Sequence, residues 1–305
     1  MKLADHAGAV LARLAVDDAR IFVLDGDLAD SDGAIHFAER HPGRFLMAGI
    51  AEQGMISTAA GMAAVGARPC VFSFSAFLCY RGYDQIRVCL SQAEQPVILV
   101  GSHAGGLSGR NGKTHAAPND LALMLSLPGI RVWAPADFAD VEFALEQSMR
   151  NPMPTYIRLP RKQFALGENL RGNAAAIRWI RPKRPLTIVS TGLATRWAEA
   201  VAERLSETGM DVGVLHCLEL APQSGLGRQL EGVQQLISLE DHCCFGGLGA
   251  LLAQHCPGVP LRCFGWPANF VGKSGADEEV LEYYGLSTQK LAQRIALAST
   301  AVDRA

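Results

Sequence analysis

No apolar run in the 305-residue chain approaches the roughly 18–20 residues that a membrane-crossing helix needs. The first residues, Met1-Lys2-Leu3-Ala4-Asp5-His6, lack the apolar core of a secretion signal. A net charge of −2 leaves no excess of either sign to hold nucleic acid or an anionic membrane surface. The eight cysteines contain no Cys-x-x-Cys pair and sit mostly in apolar runs, the pattern of reduced, buried thiols in a cytoplasmic protein. Cys243 and Cys244 follow His242, but adjacent cysteines without a second pair do not have zinc spacing. Internal repeats, low-complexity tracts and a Gly-x-Gly-x-x-Gly fingerprint are also missing. What is present, 49% apolar and 19% charged residues, describes a chain with a large core and room for two domains.

Short continuous apolar runs alternate with helical patterns. Residues 4–15 read as an amphipathic helix with Ala7, Val10, Leu11 and Leu14 on one side. Ile21-Phe22-Val23-Leu24 reads as a strand buried on both faces. Strands near 45–49, 70–73, 96–101, 130–133 and 154–158 then alternate with helices from 52, over 76–92, 119–126 and 137–150. This order predicts an α/β fold, a mainly parallel sheet with helices on both faces and its binding loops at the carboxyl ends of the strands. Residues 166–183, rich in glycine, asparagine and arginine, read as a linker. A second, smaller doubly wound domain is expected over 184–305. Within it, Gly246-Gly247-Leu248-Gly249 opens a helix after Glu240-Asp241-His242, and is read as close helix–strand packing in preference to phosphate binding.

Three stretches fall at strand ends of the first domain. Gly49-Ile50-Ala51-Glu52-Gln53 stands between an apolar run and a small-residue helix pattern. Phe74, Phe77 and Tyr80 recur every third residue, so on a helix start they share a face. His103 and His115 flank a loop containing Gly105, Gly106, Gly109 and Gly112, which can approach a ligand closely. Taken singly, each has a plain reading: Glu52 as a helix-dipole acid, the aromatics as core, the histidines as solvated or structural side chains. Arg161 likewise reads as a solvated basic turn or as an anion contact.

Taken together, the three stretches resemble the pyrimidine-binding domain of the transketolase-like thiamine diphosphate enzymes, over residues 1–165 at least. The resemblance implies that Glu52 hydrogen-bonds the far pyrimidine nitrogen, so that the cofactor's own amino group becomes a base. It implies an aromatic berth with Phe77 as the stacking residue and Phe74 and Tyr80 completing it. Asp27 and Leu28 fall beside the cofactor. His103 and His115 match histidines that line the donor channel and assist proton transfers. Ser31 and Arg161 match contacts to an acceptor phosphate. Asn111 stands where the family has an aspartate that reads the donor's C2 hydroxyl, and a second phosphate-binding arginine falls at about Met1. Donor or acceptor is therefore expected to differ from the common sugar phosphates.

The family also holds the diphosphate through a divalent metal, using Gly-Asp-Gly followed further along by Asn. No such motif occurs; Leu24-Asp25-Gly26-Asp27 is a faint echo in the wrong place. The resemblance thus implies the C-terminal half of a split, two-chain transketolase. A partner subunit would hold the diphosphate with Mg2+ or Ca2+, in an α2β2 assembly with self-association of this chain. Three alternatives stand beside it: the β subunit of a 2-oxoacid dehydrogenase, a deoxyxylulose-phosphate synthase-like enzyme, and a non-catalytic scaffold homologue.

Overall fold

The computed structural model of the chain describes residues 1–165, 168–221 and 225–302. The first helix, Leu3–Leu14, buries Leu3, Ala7, Val10 and Leu11 against the helices Ile35–Ala38 and Phe138–Arg150. Its start is held by Asp5, whose carboxylate accepts the Lys2 amide at 2.9 Å. Six strands follow in the first domain: β1 (Ile21–Asp25), β2 (Phe45–Met47), β3 (Arg68–Phe74), β4 (Ile98–Ser102), β5 (Arg131–Trp133) and β6 (Thr155–Arg158). The second domain adds β7 (Ile177–Arg181), β8 (Leu186–Thr191), β9 (Gly213–Cys217), β10 (Glu219–Leu220), β11 (Gln235–Cys243) and β12 (Leu261–Trp266).

The first sheet runs β10-β5-β6-β4-β3-β1-β2 and is parallel except for β10. Its central strands are buried on both faces, as their unbroken Cys70-Val71-Phe72 and Ile98-Leu99-Val100 runs require. The second sheet runs β12-β11-β8-β9-β7, parallel except for β7. This is the expected α/β architecture of two doubly wound domains. No helix among the described residues is long and apolar enough to cross a membrane.

Three features depart from the sequence reading. The helix expected over 76–92 is broken into Ser75–Arg81, Tyr83–Gln85 and a π-helical turn, Ile86–Gln92. Gly82 marks the break, packed so closely on Ile56 that a Cβ there would lie 2.2 Å from its Cδ1. The stretch 166–183 contains strand β7, and its first two residues, Leu166 and Gly167, lie outside the described residues. Strand β10 leaves the second domain to pair with β5 of the first sheet, so the two domains share an edge.

Buried ion pairs join the domains. Arg178 of β7 donates to Asp137 at 2.9 Å and lies 3.0 Å from Asp140, both at the start of the Phe138–Arg150 helix. His216 of β9 meets the same Asp140 at 3.1 Å.

Candidate active site

At the carboxyl end of β1 the chain turns into the loop carrying Asp27 and Leu28. Asp25 accepts the Leu28 amide at 2.8 Å and Asp32 accepts the Ala34 amide at 3.1 Å, which fixes the loop. Both carboxyls are buried side by side. Burial, then the Asp25 charge, pushes Asp32 up to about 9. After β2, Gly49 adopts φ +72, and the turn there lets Glu52 begin the helix Glu52–Ala64.

Glu52 is 3% exposed and its carboxylate faces Arg81, whose Nη1 donates to both oxygens at 2.9 and 3.0 Å. The Arg81 guanidinium lies 4.0 Å from the Phe77 ring centroid. A planar group is thus held between the Glu52 carboxylate and the face of Phe77. Phe74, the last residue of β3, stacks on Phe77 at 5.6 Å and on His103 at 3.9 Å. His115 meets both phenylalanines edge-on, at 5.9 and 5.2 Å. Glu52, Phe74, Phe77, His103 and His115 therefore form one cluster. Tyr80 does not join it. It turns outward and donates to Asn119, with no ring contact to either phenylalanine among the described residues. Phe77 and Tyr80 lie three residues apart in the helix Ser75–Arg81, but the Tyr80 hydroxyl is held by Asn119, away from the phenylalanines.

His103 has φ +55, a backbone conformation unusual for a side chain of this size. Burial, reinforced by the charges of Lys2 and Arg161, lowers it to about 3, so it is a neutral imidazole at physiological pH. Beyond it opens a cavity of about 450 Å³ lined by Lys2, Arg110, Asn111, Arg161, Lys162 and Asp277, among others. Ser31 borders it through Lys2, whose Nζ donates to the Ser31 carbonyl at 2.8 Å. Lys2 is held there because the N-terminal residues pair with 163–164: the Phe164 amide donates to the Met1 carbonyl at 2.9 Å. Sequence reasoning missed Lys2. It stands one position from Met1, where the resemblance placed a lost arginine. Arg81 was also missed, although it lies in the same run as Phe77 and Tyr80.

The second domain clamps the histidine loop. Asp241 accepts the Gly106 amide at 2.9 Å and the Trp266 indole N–H at 2.7 Å. A Cβ on Gly105 would fall 2.1 Å from Asp241 Oδ2, and one on Gly106 2.3 Å from Trp266. These glycines allow the domains to touch. Arg158 locks the junction by donating to both Asp120 oxygens at 2.9 and 3.1 Å and to the Asp241 carbonyl at 2.7 Å. Burial raises Asp241 to about 6 and its neighbour Glu240 to about 7. Glu240 accepts the Leu248 and Gly249 amides at 2.8 and 3.1 Å, so the chain's own acid fills that helix start and the glycines serve close packing.

The description "Transketolase, pyrimidine binding domain" matches residues 1–165, and "Transketolase, C-terminal domain" matches residues 175–291. The chain belongs to the transketolase family. It is 32% identical, over 92% of its length and 89% of the relative's, to a 6-deoxy-6-sulfo-D-fructose transketolase subunit, SqwH, of Clostridium sp. (strain MSTE9). A solved structure described as a split gene transketolase, an inactive beta4 tetramer, superposes with a TM-score of 0.86 at 28% identity, covering 98% of both chains. Of human transketolase, 30% identical, the chain spans 47%. 1-Deoxy-D-xylulose-5-phosphate synthases are also similar to it. Its likeness to that subunit and to the split-gene structure runs over nearly the whole of both chains, whereas the chain spans about half the length of human transketolase.

Transketolases in general use thiamine diphosphate, and the cluster fits the pyrimidine half of that cofactor. The Arg81 guanidinium, flat and rich in N–H groups, stacks on Phe77 while bonded to a buried carboxylate. A pyrimidine ring asks for the same flat berth and the same acid at its edge, with the carboxyl there donating to the ring nitrogen.

Proposed function

We propose that this chain is the pyrimidine-binding subunit of a thiamine diphosphate-dependent transketolase. It transfers a two-carbon ketol unit from a ketose or ketose phosphate to an aldose, with a partner subunit that holds the diphosphate through Mg2+ or Ca2+. The observation that carries this reading is the planar slot between Glu52 and Phe77, now filled by Arg81. The bound cofactor would supply a nucleophilic carbanion that no side chain here can provide.

The chain's own residues do the rest. Glu52 hydrogen-bonds the pyrimidine ring nitrogen, and Phe77, backed by Phe74, stacks against the ring. Arg81 swings out of the slot to admit it; its half-exposed side chain has solvent to move into. Asp27 and Leu28 border the ring on the loop that Asp25 and Asp32 brace. His103, as the neutral imidazole, holds a donor hydroxyl by hydrogen bond, and His115 accepts or returns protons on the sugar oxygens. Asn111 reads a donor hydroxyl with an uncharged amide, which can both donate and accept. Ser31, Arg161 and Lys2 hold the far end of the sugar. Tyr80 is left to the exposed face.

A partner subunit has a face to dock on. Leu46, Met47 and Ile50 are 39, 51 and 75% exposed on the sheet edge that leads into Glu52. The structural relative described as an inactive tetramer of β chains supports both self-association and inactivity without a partner, and an α2β2 assembly follows the same logic. The test is ketol transfer by the reconstituted pair of subunits. Glu52→Ala and Glu52→Gln are each expected to reduce it at least 100-fold. Full activity in either variant refutes the role of Glu52. Calorimetry on the isolated chain should detect no thiamine diphosphate binding, and tight binding would remove the need for a partner.

A further inference from the structure

The second domain reaches the substrate cavity itself. The segment before the helix Asp277–Tyr283 lies across the histidine loop: the Gly275 amide donates to the Gly109 carbonyl at 3.2 Å, and a Cβ on Gly112 would fall 2.4 Å from Ser274 Oγ. This contact delivers Asp277 to Arg161. Arg161 Nη2 donates to Asp277 Oδ1 at 2.7 Å, and Arg161 Nε donates to the Leu107 carbonyl at 3.3 Å. The Nε–Nη2 edge of a guanidinium is one of the two that grip an oxyanion with paired bonds. Here that edge is committed within the protein. Asp277 is the sole acid among the cavity-lining residues, facing Lys2, Arg110, Arg161 and Lys162. It is 19% exposed at the side chain, against 34% for Arg161, so solvent screens the pair only in part.

The geometry points to Asp277 as a specificity-determining residue, a carboxylate that sets how much negative charge the cavity accepts. It offsets part of the positive charge of Lys2, Arg110, Arg161 and Lys162, and so weakens the hold on a doubly charged group more than on a singly charged one. Asp277 thereby narrows the advantage that the four cations give a phosphate dianion over a singly charged sulfonate or carboxylate at the far end of the sugar. The inference rests on the proposal that Arg161 and Lys2 hold the far end of the sugar.

The physics sets the pattern of the test. Repulsion from a fixed carboxylate scales with ligand charge, so the logarithm of the affinity change for a dianion is twice that for a monoanion. Two probes separate the cases: methanesulfonate, a monoanion, and inorganic phosphate at pH 8, mainly a dianion. Binding to the full chain is followed by NMR titration of amides in the 103–115 loop. Asp277→Asn, which keeps the shape and a hydrogen-bond acceptor, is expected to tighten methanesulfonate about 3-fold and phosphate about 10-fold. Asp277→Ser, a second variant without charge, should reproduce the order. Unchanged or weaker phosphate binding in both variants overturns the inference, as does an equal gain for the two probes. This readout needs neither partner nor cofactor. Loss of the transfer reaction proposed above would leave it standing, and its own failure would leave that reaction untouched.

Discussion

Replacing Arg158 by Met removes a cation that is 2% exposed and holds three oxygens: both carboxylate oxygens of Asp120 and the main-chain carbonyl of Asp241. Asp120 is 0% exposed and would keep only the Tyr156 hydroxyl, at 2.8 Å. Breaking a buried pair by removing one partner costs about 3–5 kcal/mol, because the surviving charge stays buried without compensation. The orphaned Asp241 carbonyl adds about 1 kcal/mol. Against a total stability of about 5–15 kcal/mol, a loss of about 4 kcal/mol is severe. At a urea m-value of about 3 kcal/mol/M it lowers the unfolding midpoint by roughly 1.3 M. The double variant Asp120→Asn/Arg158→Met removes both charges while Asn still accepts from Tyr156. It should therefore be more stable than Arg158→Met alone, with a coupling of about 2–3 kcal/mol in the cycle. A single-variant loss under about 1 kcal/mol, or losses that simply add, would refute the view that this pair locks the domains together.

Two further outcomes follow from the same junction. Glu240 is raised from 4.5 to about 7, so its contribution to stability is complete below pH 4.5 and is lost as pH rises through 7. At about 1.4 kcal/mol per pH unit this amounts to about 3 kcal/mol, which Glu240→Gln abolishes; urea melts of both proteins at pH 4.5 and 8.5 should show the variant gaining on the wild type at the higher pH, and parallel pH profiles would contradict the burial argument. Gly105→Ala places a methyl group 2.1 Å from Asp241 Oδ2 at φ +83, and is expected to lower the thermal midpoint by several degrees, whereas Gly43→Ala, with nothing within 4 Å, should change it little.

Much of the fold was legible because its signals are local. A strand buried on both faces must be apolar throughout, and a helix against a sheet must repeat its apolar positions, so runs such as Ile21–Asp25 and Leu3–Leu14 announce themselves. Glu52 was legible too, since a strand end followed by a helix start directs a side chain into a strand-end cleft wherever it occurs. The outward turn of Tyr80 was not, because it depends on Asn119, 39 residues away. Strand β7 was hidden for a related reason: an edge strand paired on one side carries only a weak alternation, and Ile177-Arg178-Trp179-Ile180-Arg181 sits among linker-like residues.

The amino-acid order by itself determined the element sequence, the two α/β domains and the acid–aromatic–histidine set, because periodicity and turn chemistry act over a few residues at a time. Only the tertiary structure decided which charges meet. Asp241 lies 135 residues from Gly106, and Asp277 lies 116 residues from Arg161. Such contacts leave no periodic trace in the chain, since they exist only once two separately built sheets pack edge to edge and exclude water from the groups between them.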